Sequence, residues 1–229
     1  MKATLESPQA SEGGGRRRDM TAGETGADME AAITVGTLVL VEGDSDAAAL
    51  RALAALLGCD LDRHHVHIVP AHGVTNFSRL LVELSSAHPG ARSCGLYDAA
   101  DEGHVRRALA RAGIPIEAGG GLESLGFFAC VADLEDELIR ALGVAAVERV
   151  LEARAELASF RRFQAMPQHR GTPAPQQLRR FLGTRATRKI RSAQSLVEAL
   201  DPARLPRPLA RLMSRLLEAP PPPARREGA

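Results

Sequence analysis

Aromatic side chains are scarce in this chain: they make up 3% of its 229 residues, and tryptophan is absent. Any core must therefore be assembled chiefly from Leu, Ala, Val and Ile. The hydrophobic fraction of 45% is ample for one domain of ordinary size plus extensions. Tyr97 is the only tyrosine, and it falls at the end of a predicted buried strand. Chemistry through a mobile tyrosine nucleophile has no candidate here. Cys59, Cys94 and Cys130 are odd in number and far apart. That pattern suits neither a disulfide framework nor a zinc site, and it fits a reducing cytoplasm. No stretch approaches the roughly 20 apolar residues of a membrane span. The N-terminus is polar and Gly-rich and lacks the apolar segment of a signal peptide. Phosphate loops are missing too. There is no GxxxxGK, and no GxGxxG follows a strand, so Gly119-Gly120-Gly121 reads as a connection.

Lysine is scarce as well. Of 29 basic residues only Lys2 and Lys189 are lysines. Lys189 stands inside the arginine-rich run Arg185–Arg191, and a compact ammonium differs chemically from a planar guanidinium fork. It reads either as a group that neutralises charge on a phosphate or holds a nucleophilic water, or as an ordinary helix-surface lysine. Charge is unevenly spread. Residues 31–150 carry 9 Arg against 16 Asp and Glu, and residues 151–229 carry 15 Arg and 1 Lys against 6 acids. An acidic half beside a basic half suits a metal site with a polyanion-binding flank. An Arg-rich helical surface set by genome composition explains it equally well.

What is present is a series of strands that end in acids. Thr37-Leu38-Val39-Leu40-Val41 is an apolar, β-branched run of the kind that forms a buried parallel strand. It stops at Glu42-Gly43. A carboxylate at that tip is costly unless something pairs with it. Ser45 can cap a helix from Asp46 to about Leu57. Val66–Pro70 is a second strand, and the turn Ala71–Phe77 leads to a helix capped by Thr75 or Asn76 and running to about Ser86. His64, His65 and His67 form an HHxH cluster, readable as a metal site or as polar residues at a strand entrance. Ser93–Tyr97 is a third strand with Asp98 at its tip, followed by an amphipathic helix to about Ala112. Gly126–Val131 is a fourth, and Asp133 caps the helix after it, with Asp136 and Glu137 on a solvated face.

Strand–helix alternation repeated four times indicates βαβ units and a mainly parallel sheet. Beyond Val144 the pattern is all-helical, with helices expected near Val144–Ala158, Pro175–Leu182, Arg185–Leu200 and Arg207–Glu218. The chain thus divides into a disordered tail (1–32, including Arg16-Arg17-Arg18), an α/β core (33–143), a helical extension carrying a basic segment (144–218) and a disordered Pro-rich tail (219–229). Acids gathered where strand ends meet a crevice suggest a divalent metal.

The run LVLVEGDSDAAAL, followed by CGLYDAADEG and ADLEDEL, resembles the Toprim domain of the OLD-family nucleases over roughly Thr37–Ile190. The resemblance implies a Toprim-type, Rossmann-like sheet of about four mainly parallel strands flanked by helices. The Gly and Asn after the second strand resemble the family pattern. Asp98 takes the place of the first acid of the Asp-x-Asp motif, but Ala100 stands where the second belongs. Asp101 or Glu102 could replace it from the first helical turn, where the dipole also tolerates acids. Asp133 and Glu135 resemble the family's Asp-Leu-Glu ligands, and Lys189 its catalytic lysine. The implied chemistry is hydrolysis of DNA phosphodiesters with two Mg²⁺ or Mn²⁺ ions. The resemblance puts Glu42 and Asp46 at one ion, and Asp98, Asp133 and Glu135 around the other. Glu42 serves alternatively as general base.

The expected partner is DNA. With no phosphate loop, the chain would be a stand-alone Toprim protein beside a separate ATPase subunit, and a homodimer is allowed. The competing reading is a non-catalytic Toprim module, degenerate at Ala100, that binds DNA or an ATPase partner. A different phosphotransferase on a similar sheet is a third.

Overall fold

The apolar run that ends in Glu42 forms strand β1 (Thr37–Val41), buried along its whole length. The computed structural model describes residues 35–117, 119–184 and 186–218; both expected tails lie outside the described residues. Side chains of β1 alternate between two cores. Leu38 and Leu40 join Phe77, Leu81 and Leu109, while Val39 and Val41 join Leu50, Leu53 and Leu138. A strand covered on both faces needs this continuous apolar character.

Strands β2 (Val66–Pro70), β3 (Arg92–Asp98) and β4 (Phe127–Cys130) complete a four-stranded sheet in the order β2-β1-β3-β4, with every pairing parallel. Leu40 pairs with Gly95, and a Cβ on Gly95 would run into the Leu40 carbonyl. Glycine there lets β1 and β3 approach. The chain leaves β1 for β2 on one side and reaches β3 on the other, so the strand order reverses at β1. Crevices at such switch points, beyond the strand carboxyl ends, are where open α/β sheets bind ligands.

Helices α2 (Phe77–Ala87) and α3 (Glu102–Arg111) pack together over one face. The other face is covered by α1 (Asp44–Leu56), α4 (Leu134–Leu142), α5 (Val144–Ala153), α6 (Leu157–Ala165), α7 (Ala174–Leu182), α8 (Ala186–Glu198) and α9 (Arg207–Leu217). Val147, Phe160, Leu178, Leu196 and Leu212 all enter the core that holds Val39, so the helices beyond residue 143 share the sheet's core. Burying each of Leu50 and Leu53 contributes about 1.5–3 kcal/mol. No described helix is long and apolar enough to cross a membrane.

Local departures from expectation have identifiable causes. Helix α1 begins at Asp44 rather than Asp46, because Gly43 is its N-cap and the Gly43 N–H donates to the Asp46 carboxylate at 2.9 Å. Asn76 is the N-cap residue of α2 as expected, but its side chain makes no capping hydrogen bond; its amide donates instead to the Ala71 and His72 carbonyls and ties the turn. The single helix expected over 144–158 is two, broken where Ala155 adopts a φ of 55°. Glu137 is buried rather than solvated: it accepts the Val131 N–H at 2.9 Å and pairs with Arg140 at 2.6 Å.

Candidate metal centre

Three turns deliver the acids. Glu42 follows the last residue of β1, and its carbonyl accepts the Gly73 N–H at 3.0 Å while that of Val41 accepts the Ala71 N–H at 2.8 Å. The turn after β2 is thus clamped to the tip of β1. Asp98 ends β3. Asp101 closes the single 3₁₀ turn Ala99–Asp101 that follows it. Glu42, Asp98 and Asp101 offer carboxylate oxygens that all lie within 4.8 Å of one another, the one such group of three among the described residues. Hard oxygen donors from three carboxylates are the ligand set of Mg²⁺ or Mn²⁺. Of the two acids that follow Ala100, Asp101 joins this group, while Glu102 pairs with Arg106 at 2.7 Å. Burial, then the charges of Glu42, Asp133 and Asp46, push the Asp98 carboxyl up to about 7. Without a cation this group tends to keep its proton; a divalent ion reverses that preference.

A second group of acids sits at the start of α4. Asp133 caps that helix: one oxygen accepts the Asp136 N–H at 2.8 Å, and the other accepts Nε–H of Arg179 at 2.6 Å. Glu135 is only 3% exposed, and its Oε2 lies 3.5 Å from Nζ of Lys189. Its Oε1 is buried without a partner. Burial raises the Glu135 carboxyl to about 7 against the pull of Lys189. Burial likewise raises Asp46. Burial works against the Lys189 ammonium, but Glu135, Asp46, Asp133 and Glu42 together outweigh it and hold its pKa above the usual value. Helix α8 packs along α1, which carries Lys189 to the β1–α1 turn. There Lys189 lines a pocket of about 270 Å³ with Glu42, Asp46 and His72.

The five acids expected as metal ligands, Glu42, Asp46, Asp98, Asp133 and Glu135, lie in one electrostatic neighbourhood. Glu42 and Asp98 meet each other and Asp101, and Asp46, Asp133 and Glu135 gather around Lys189 and Arg179 beside them. His64, His65 and His67 are exposed and form no ligand group of this kind. Tyr97 is buried in β3. Arg179 carried no signal in the sequence, where arginines crowd the C-terminal half; only the packing of α7 on α4 brings it to Asp133.

Residues 36–91 match the family model described as "Overcoming lysogenization defect protein-like, TOPRIM domain". None of the curated proteins matches this chain. Among solved structures, the C-terminal region of the Burkholderia pseudomallei OLD protein is similar with a TM-score of 0.55 and 18% identity, over 80% of this chain and 96% of that one. The C-terminal region of the Xanthomonas campestris pv. campestris OLD protein is similar too. Its mercury-phased structure has a TM-score of 0.55 and 22% identity over 79% of this chain and 93% of that one. Its platinum-phased structure has a TM-score of 0.57 and 20% identity over 79% and 91%. At these identities the likeness is one of fold. Residues 36–91 are thus similar to an OLD-like Toprim domain, and the four-stranded parallel sheet with its helical C-terminal region has the fold of the OLD C-terminal regions.

Proposed function

We propose that this protein is a metal-dependent nuclease that hydrolyses phosphodiester bonds of DNA, as an endonuclease or nickase. The observation that carries the reading is the convergence of Glu42, Asp98 and Asp101 at the switch point of the sheet. In this reading Glu42, Asp98 and Asp101 hold one Mg²⁺ or Mn²⁺, and Asp46, Asp133 and Glu135 hold a second. The ions would supply an activated water and charge neutralisation at the departing oxygen. This assignment differs from pairing Glu42 with Asp46 at one ion, because the carboxylates that gather with Glu42 are those of Asp98 and Asp101. Lys189, held charged by its carboxylate neighbours, neutralises charge that grows on the phosphate. The exposed Arg180 and Arg191 flank the site on α7 and α8 and suit a polyanion. Partners in this reading are DNA, a separate ATPase subunit and a second copy of the chain. A reducing compartment, the cytoplasm, suits its three free cysteines.

A second reading, a non-catalytic Toprim module that binds DNA or an ATPase, is favoured by one observation: both oxygens of Asp133 are already engaged. Incubating supercoiled plasmid with the protein and Mg²⁺ or Mn²⁺, beside Glu42→Ala, separates the two. Metal-dependent nicking that disappears in the variant supports the nuclease. Tight DNA binding without cleavage supports the module.

A further inference from the structure

Beside the acids at the start of α4 lies a pocket of about 580 Å³ lined by Asp133, Thr172, Gln176, Arg179, Arg180 and Gly183. Its wall is rich in hydrogen-bond donors: two guanidinium groups, a hydroxyl and a side-chain amide. Asp133 is its one carboxylate. Arg179 uses Nε–H on Asp133, the only donor it has in use among the described residues, and its side chain is 43% exposed. The rest of its fork is available to the pocket. A guanidinium fork matches a phosphate as well as a carboxylate. The Asp133 charge repels a phosphate from this pocket for as long as nothing neutralises it.

We propose that Arg179 alternates between two anions: the Asp133 carboxylate while Asp133 holds no divalent ion, and a backbone phosphate of bound nucleic acid once Asp133 is engaged by one. The pocket is thus a phosphodiester-binding subsite whose opening is coupled to cation loading. Arg179 competes with the cation for Asp133, and the cation frees Arg179 for the phosphate. Because coupling between two ligands is reciprocal, DNA tightens cation binding as much as the cation tightens DNA binding. The role of Arg180 is simpler. It is exposed in the same pocket and contributes positive charge toward the phosphate without contacting Asp133.

The inference rests on the nuclease reading for its substrate, but its test reads binding alone. Mn²⁺ affinity is measured by the electron paramagnetic resonance signal of free Mn²⁺. Duplex affinity is measured by the anisotropy of a fluorescein-labelled DNA duplex, with and without Ca²⁺. Arg179→Ala should tighten Mn²⁺ binding and weaken duplex binding, each about tenfold, and should reduce the Ca²⁺ enhancement of duplex binding. A merely structural arginine gives no such opposed pair of changes. Arg180→Ala should weaken the duplex and leave Mn²⁺ affinity alone. Thermal melting checks that each variant is folded, and Arg179→Gln, which keeps a neutral donor, replaces Arg179→Ala if that variant does not fold. Unchanged or weakened Mn²⁺ binding in the Arg179 variant overturns the proposal, as does duplex binding that does not change. Plasmid nicking by the unaltered protein is scored separately, so loss of the nuclease reading leaves the exchange measurable.

Discussion

Glu42, Asp98 and Asp101 crowd together at the ends of β1 and β3, and among the described residues none of them forms an ion pair. Asp133 and Glu135, at the start of α4, each meet a cation of the protein's own, Arg179 and Lys189. Asp98 and Glu135 are both raised to about 7, chiefly by burial, but the strongest neighbouring charge differs: Glu42 pushes Asp98 further up, while Lys189 pulls Glu135 down. In the proposed reading one half of the rim would draw its neutralising charge from a cation in solution. The other half is largely balanced by the helices that follow the sheet. The difference teaches where a first divalent ion would enter, and which side chains must give way for a second.

The sharpest way to break this comparison is to remove Glu42, the acid at the tip of β1. Glu42→Ala should lower plasmid nicking by about 100- to 1,000-fold, with weaker Mn²⁺ binding measured alongside. Lys189→Ala comes next. It should lower the nicking rate at saturating DNA by about 100-fold, and Lys189→Arg should not restore it, because a fork does not replace a compact ammonium. The same Lys189→Ala change should destabilise the metal-free protein by about 1 kcal/mol, read by urea denaturation. The lysine is partly exposed, which keeps that figure small.

Stability against pH sharpens the contrast. Carboxyls raised in the folded state bind protons that the unfolded chain releases. The stability they contribute is complete below about pH 4 and is lost as pH climbs toward 7. The melting temperature of the metal-free protein should fall over that interval, and Mg²⁺ should restore it at the upper end. The smallest effect is the most telling in sign. Asp98→Asn should raise the melting temperature of the metal-free protein at pH 8 by about 3 °C, because it removes one of the crowded negative charges. Mg²⁺ should then stabilise the unaltered protein more than the variant. Deleting an acid from one half helps the metal-free fold, and deleting a cation from the other half harms it.

Much of this arrangement was legible in the sequence. A buried parallel strand needs an unbroken apolar run, so Thr37–Val41 declared itself, and an acid at such a tip needs a partner. Asp98 stood out by the same logic, whereas Asp133 read as a helix cap and as a ligand only through the family resemblance. Asp101 was harder, because an acid in a first helical turn is also explained by the helix dipole; only the 3₁₀ turn after β3 turns it toward Glu42. Arg179 was not legible at all. It pairs with a residue 46 positions away, through the packing of α7 on α4, and it stands beside another arginine, Arg180, in an arginine-rich half of the chain. The break at Ala155 left no trace either, since alanine favours helix and gives no sign of a positive φ. Glu137 was misread because helical position says nothing of the Val131 N–H that it serves.

The most direct test of the central claim is anomalous diffraction at the manganese edge from crystals soaked in MnCl₂. A manganese peak bounded by the carboxylates of Glu42, Asp98 and Asp101 is the predicted result. Manganese bound only elsewhere, for instance at His64, His65 and His67, with nothing between those three acids, would contradict it.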